Sequence, residues 1–234
     1  MKLAKITYFL CAAGIAVNVA AAEGGVHTAP ATDNADLKGI IRNLLQDNAS
    51  FVSSHKSNYY KSFMDGQHPR ATVVTCSDSR VHTQALDKTP DGDLFMVRNI
   101  GNQLSTAEGS VEYGVHHLHT PLLIFIGHSA CGAIKAASGD YSIESPAIKR
   151  ELDTLNVSKG GDWMDGVKSN VNMQVSAALE KFDHEVQAKN LTVIGAVYDF
   201  RNDLHQGQGK LVITNINGET DAAKIKQSSL MKLN

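Results

Sequence analysis

Thr72-Val73-Val74-Thr75-Cys76-Ser77-Asp78-Ser79-Arg80 and, further along, Pro121-Leu122-Leu123-Ile124-Phe125-Ile126-Gly127-His128-Ser129-Ala130-Cys131-Gly132 decide how this chain is read. Each stretch opens with a short apolar or β-branched run, the pattern of a buried strand, and ends in a polar cluster. Leu94 to Val97, Leu191 to Tyr198 and Lys210 to Ile213 repeat the strand pattern. Between them lie helical patterns over Thr106 to Leu118 and, after a polar loop at Gly160 to Gly166, over Val167 to Ala188. Strands alternating with helices predict an α/β fold, a mainly parallel β-sheet flanked by helices on both faces. The lysine in the last run suits an edge strand. Cys76 and His128 follow the carboxyl ends of two strands, where open parallel sheets place their sites.

Cys76, His128 and Cys131 are three zinc donors of the catalytic kind, because a Cys2His set leaves a fourth position open. His128 and Cys131 are three apart, so a helical turn would bring them together. Gly127 is expected to permit a tight turn after the strand, and Gly132 a close approach of backbone to metal. Asp78 has two available roles: a fourth ligand that blocks water, or a partner of Arg80 that accepts a hydrogen bond from zinc-bound water. Arg80 fits a carboxylate through a two-point contact. A loop salt bridge is the plainer account of that pair.

The N-terminus has a different character. Two lysines precede the mostly apolar run Ile6 to Val19, and Ala20-Ala21-Ala22 follows. This is the pattern of a secretory signal peptide over residues 1–22, cut after Ala22, and it predicts export to the periplasm. The run is too short for a secure membrane span, so no stable membrane insertion is expected. Residues 23–35 read as a flexible leader and residues 36–234 as the catalytic domain. Removing residues 1–22 takes Lys2 and Lys5 and no acids, which moves the net charge from −2 to −4. Neither value suits a nucleic acid or an anionic membrane as partner. Of three cysteines, Cys11 leaves with the signal peptide. The remaining pair in an exported protein would ordinarily form a disulfide, but a disulfide gives His128, Asp78 and Arg80 no part. Zinc on both sulfurs accounts for all five residues.

Asp36 to Gln46 is predicted as one helix, with Leu37, Ile40, Ile41, Leu44 and Leu45 on one side, and Asn48 to Met64 as a second. Phe51, Tyr59, Tyr60 and Phe63 would pack on a neighbouring subunit or on the chain's own core. His116, His117 and His119 point in different directions on a helix, so they do not make a second metal site. One of them is a candidate proton shuttle, a role histidine commonly takes.

The combination resembles the β-class carbonic anhydrases, from about Asp36 to Ile213. The matching pieces are CSDSRV (Cys76 to Val81), FMVRNIGN (Phe95 to Asn102), SVEYGVHHL (Ser110 to Leu118), IGHSACGAI (Ile126 to Ile134) and VYDF (Val197 to Phe200). The resemblance implies the family fold, one zinc ion per subunit on Cys76, His128 and Cys131, and Asp78 with Arg80 as a catalytic dyad. It implies reversible hydration of carbon dioxide to bicarbonate and a proton, through zinc-bound hydroxide oriented by that dyad. It also implies that Gln67, Phe95 and Tyr113 bind substrate at a subunit interface, serving a neighbour's zinc in a homodimer or homotetramer. Members inhibited by bicarbonate carry a tryptophan where this chain has Val73, while Arg98 and Tyr198 remain. The open form, with Asp78 off the metal, is therefore expected. Two other readings share the motifs: hydrolysis of carbon disulfide or carbonyl sulfide on the same fold, and a zinc-binding module without turnover.

Overall fold

The computed structural model describes residues 34–232. The signal-peptide reading and nearly all of the leader lie outside them. Contacts divide the chain into two units, Met1–Lys56 and Ser57–Asn234.

In the first unit, α1 (Asn34–Ser54) is a single helix, where the sequence predicted two with a break near Asn48. The polar stretch Asp47 to Ser50 holds neither proline nor glycine. Its serine and the two near the helix end turn their hydroxyls onto the preceding turn: Ser50 Oγ donates to Gln46 O at 2.9 Å and Ser54 Oγ to Phe51 O at 2.8 Å. Polar residues that bond back in this way are carried inside an exposed helix rather than ending it.

The second unit is built on five strands, β1 (Ala71–Cys76), β2 (Leu94–Asn99), β3 (Leu122–His128), β4 (Thr192–Asp199) and β5 (Lys210–Ile216), in the order β2-β1-β3-β4-β5. The first four are parallel, and β5 pairs antiparallel with β4 at the edge. All six residues of β1 are buried, as are six of seven in β3, as expected of central strands covered on both faces. Cys76 and His128 are the last residues of their strands, so the pleat and register of the sheet deliver them to one end.

The helices include α2 (Glu108–Glu112), α3 (Gly132–Ser138), α4 (Pro146–Asp153), α5 (Trp163–Lys181), α6 (Asp183–Gln187) and α7 (Ala222–Gln227). Helix α5 starts four residues before the predicted boundary because Asp162 caps it, its side chain accepting from Met164 N at 2.8 Å and Asp165 N at 3.0 Å. Val167, Val171, Val175 and Ala178 recur at helical spacing and are buried against the sheet. Gly127 has a different role from the one expected. It lies within β3, and a Cβ there would meet Val167 Cγ1 at 2.7 Å and Val171 Cγ2 at 2.9 Å. Its missing side chain lets α5 lie close on the sheet. The turn after the strand is made by Ala130, at φ 53°.

After α2 the helix widens into a π turn over Tyr113–His117, where Leu118 N donates to Tyr113 O at 2.9 Å. Gly114 sits against β1, and a Cβ there would lie 2.1 Å from Thr72 Oγ1. Single π turns of this kind gather at functional sites. Among the described residues no helix is long and apolar enough to cross a membrane.

Candidate metal centre

The ends of β1 and β3 and the cap of α3 bring three donors together. Cys76, His128 and Cys131 each offer one ligand atom, and these atoms all lie within 4.8 Å of one another. Among the described residues this is the single such group of histidine, cysteine and acidic side chains. All three are buried, His128 completely. Cys131 does not reach His128 by a helical turn. It is the extended cap residue preceding α3, and the left-handed Ala130 folds the chain back between the two. Gly132, the next residue, has open space where a side chain would stand.

The donor set fits a divalent zinc ion. His128 Nδ1 faces Ser129 O at 3.0 Å, an acceptor only, so Nδ1 carries the proton and Nε2 keeps its lone pair. Nε2 is buried with no hydrogen-bond partner among the described residues, an arrangement that a coordinated cation relieves. Cys76 and Cys131 are both free thiols rather than a disulfide. The Cys131 thiol, with His128 and against the effect of burial, lowers Cys76 to about 4, and the same contact and burial push Cys131 up. A cation bound between the two sulfurs favours the thiolate form of both.

Asp78 and Arg80 stand at the edge of this group. Arg80 Nε donates to Asp78 Oδ1 at 2.9 Å, Nη2 donates to Oδ2 at 2.7 Å, and the backbone N–H of Arg80 reaches Oδ1 at 3.0 Å. These bonds hold the Asp78 carboxyl well below the usual carboxylate range. Asp78 Oδ2 also lies 3.9 Å from His128 Nε2. A carboxylate bound to the guanidinium therefore lies beside the His128 donor atom.

Arg98 proves to be a structural clamp. Its Nε donates to Cys76 O at 3.1 Å, and Nη2 lies 2.9, 2.8 and 2.6 Å from the carbonyls of Cys76, Asp78 and Val81. Nε and Nη2 of Arg98 are thus taken up by the loop that bears Cys76 and Asp78. The parallel register held the signal for this, since Thr75 pairs with Arg98 and Cys76 with Asn99. On the other side, Ser129 Oγ donates to the buried Asp199 carboxylate at 2.6 Å, which also accepts from Asp203 N and Leu204 N. Sequence reasoning had no means to find that tie between β3 and β4.

The structure sets the three residues expected to bind substrate apart from the donors. Phe95 pairs with Thr72, four residues and so about 13 Å along β1 from Cys76. The Phe95 and Tyr113 rings lie 5.8 Å apart. Tyr113 and Gln67 line a recess of about 700 Å³ together with His68, Asp91 and His117. The neighbouring histidines part company here. His117 packs on Tyr113 at 4.4 Å, while His116 and His119 line another recess with His184 and Glu185.

Comparison with known proteins adds four findings. Residues 71–207 match the family described as "Carbonic anhydrase". The chain is 35% identical over 106 residues to a carbonic anhydrase of Synechococcus elongatus, a stretch covering 42% of this chain and 39% of that protein. It is 31% identical over 137 residues to the chloroplastic beta carbonic anhydrase 5 of Arabidopsis thaliana, covering 55% and 42%. The chain thus spans about two fifths of the length of these curated relatives. In fold it is similar to a tetrameric β-carbonic anhydrase of Sordaria macrospora, with a TM-score of 0.61 at 21% identity over 77% of this chain and 97% of the other.

Proposed function

This chain belongs to the carbonic anhydrase family and has its β-class fold, and we propose that it catalyses the reversible hydration of carbon dioxide to bicarbonate and a proton. The observation that carries the reading is the placing of Asp78 Oδ2 3.9 Å from His128 Nε2 while Arg80 grips the same carboxylate. Cys76, His128 and Cys131 would hold zinc, which when bound lowers the pKa of a water to near 7 and so supplies a nucleophile at neutral pH.

The side chains account for the rest. Asp78, kept ionised by Arg80, accepts a hydrogen bond from the attacking solvent and points its lone pair at the substrate. A carboxylate held by the arginine leaves the fourth position free. Cys76 and Cys131 sit among Ile134, Val167 and Val197, an apolar surround that excludes water from the donors. Gln67, Phe95 and Tyr113 lie too far from the donors of their own chain to meet substrate there. Their separation supports a site completed by a neighbouring subunit, in a dimer or tetramer. Gln67 would bond the substrate oxygen and the two rings would line the pocket. Export through cleavage after Ala22 belongs to the same proposal, and N-terminal sequencing of the mature protein beginning at Glu23 tests it.

The deciding experiment pairs elemental analysis of the purified protein with stopped-flow carbon dioxide hydration. One zinc per chain with turnover is the expected result. Full zinc occupancy without turnover refutes the proposed activity.

A further inference from the structure

Arg80 holds Asp78, and something must hold Arg80. Its side chain is half exposed, and an arginine stem in water loses rotamer entropy on fixing. An exposed ion pair is a weak tether, too weak by itself to keep the guanidinium in one pose. A second anchor is Ala130 O, which accepts from Nη2 at 3.0 Å. The third is Phe200, the residue after β4. Arg80 Cζ lies 5.0 Å from the centroid of its ring, within the range of a cation–π contact.

The position of that ring is determined from two other directions. It lies 6.1 Å from the His128 imidazole, the two planes inclined by 27°, and meets Tyr198 edge-on at 5.7 Å. Its backbone follows Asp199, whose side chain is tied to Ser129, Asp203 and Leu204 and whose carbonyl accepts from Gly209 N at 2.8 Å. One side of the site therefore gathers the donor imidazole, the phenyl ring and the dyad guanidinium.

We propose that Phe200 is a positioning residue: its ring seats Arg80 so that the guanidinium keeps Asp78 away from the metal corner. The inference rests on the zinc enzyme proposed above. Asp78 Oδ2 is already 3.9 Å from His128 Nε2, so a carboxylate released by a wandering arginine has only a short swing to the cation. The corner that should admit solvent would then be closed. A ring that acted through packing alone would be replaceable by any side chain of its shape. A ring that acts through its π face would not.

The test uses the cobalt-substituted holoenzyme and azide, a small anion that reports an open metal corner through the visible spectrum. Two variants are compared with the wild type. Phe200→Leu keeps most of the volume and removes the ring, and pentafluorophenylalanine at position 200 keeps the shape and reverses the charge of the ring face. Azide affinity is expected to fall about tenfold in the leucine variant and about 2–5-fold in the fluorinated protein, with Phe200→Trp at or near the wild-type value. Unchanged azide affinity in either the leucine or the fluorinated protein overturns the proposal. The fluorinated ring retains the native packing, so it decides the matter even if the leucine variant does not fold. A wild-type protein that takes up cobalt and binds azide but lacks carbon dioxide hydration would defeat the proposed reaction while leaving this inference standing. A wild type that binds azide and hydrates carbon dioxide, with variants that match it, defeats this inference alone.

Discussion

Replacing Arg98 by methionine should damage the metal centre without touching a ligand. The three hydrogens on Nε and Nη2 are shared among the carbonyls of Cys76, Asp78 and Val81. Hydrogen bonds to a charged group contribute about 1.5–3 kcal/mol each, giving an upper range near 4–9 kcal/mol if all were fully buried. Arg98 is an exposed residue and Asp78 O can regain water, so much of that returns. Cys76 and Val81 are buried, and losing their shares in part gives about 2–4 kcal/mol. The larger consequence is local. The loop between Cys76 and Val81 carries one sulfur donor and the dyad carboxylate, and loss of the groups that orient ligands costs about 10–100-fold in metal affinity. Arg98→Met should therefore weaken zinc binding by that factor in chelator competition and lower urea stability by about 2–4 kcal/mol. Arg98→Lys keeps the charge and lacks the planar fork, so it should fall between the two. Wild-type zinc affinity in the methionine variant, together with a stability loss under about 0.5 kcal/mol, would show that the clamp is ornamental.

Asp78→Asn should retain zinc at the wild-type level in elemental analysis while kcat/KM for carbon dioxide falls about 100-fold or more, since the group lost acts on the proton rather than on the ion. If protons leave through the recess beside Tyr113, His117→Ala should lower kcat about tenfold in weak buffer and recover with added imidazole. His116→Ala and His119→Ala, which face a different recess, should leave turnover unchanged. Gly195→Ala would place a Cβ 2.6 Å from Val171 Cγ1 and 3.0 Å from Asn215 Cβ. It should cost about 1–3 kcal/mol in urea unfolding, and Val171→Ala in the same chain should restore part of that.

Local chemistry was legible because it is written in adjacent residues. The strand that ends at Cys76, the carboxylate two residues on and the guanidinium two beyond it need no tertiary contact to be recognised. The same holds for the apolar runs of β1, β3 and β4, whose burial on both faces leaves an unbroken hydrophobic signature. Boundaries that depend on a single cap or a serine hydroxyl were less visible, as at Asp162 and along α1. Two assignments at the site changed once the chain was folded. Gly127 serves α5 instead of a turn, and Cys131 reaches the site through the left-handed Ala130.

Sequence by itself determined the donor types, their order and the alternation that makes a parallel sheet, because those follow from side-chain chemistry and short-range periodicity. Only the tertiary structure decided which groups support the donors and which are carried elsewhere. Arg98 and Phe200 reach the site from β2 and from the end of β4, and Gln67 and Tyr113 are set some way from it. The physical reason is that parallel pairing joins strands distant in the chain, so contacts across the sheet are set by register and packing, which no window of neighbouring residues contains.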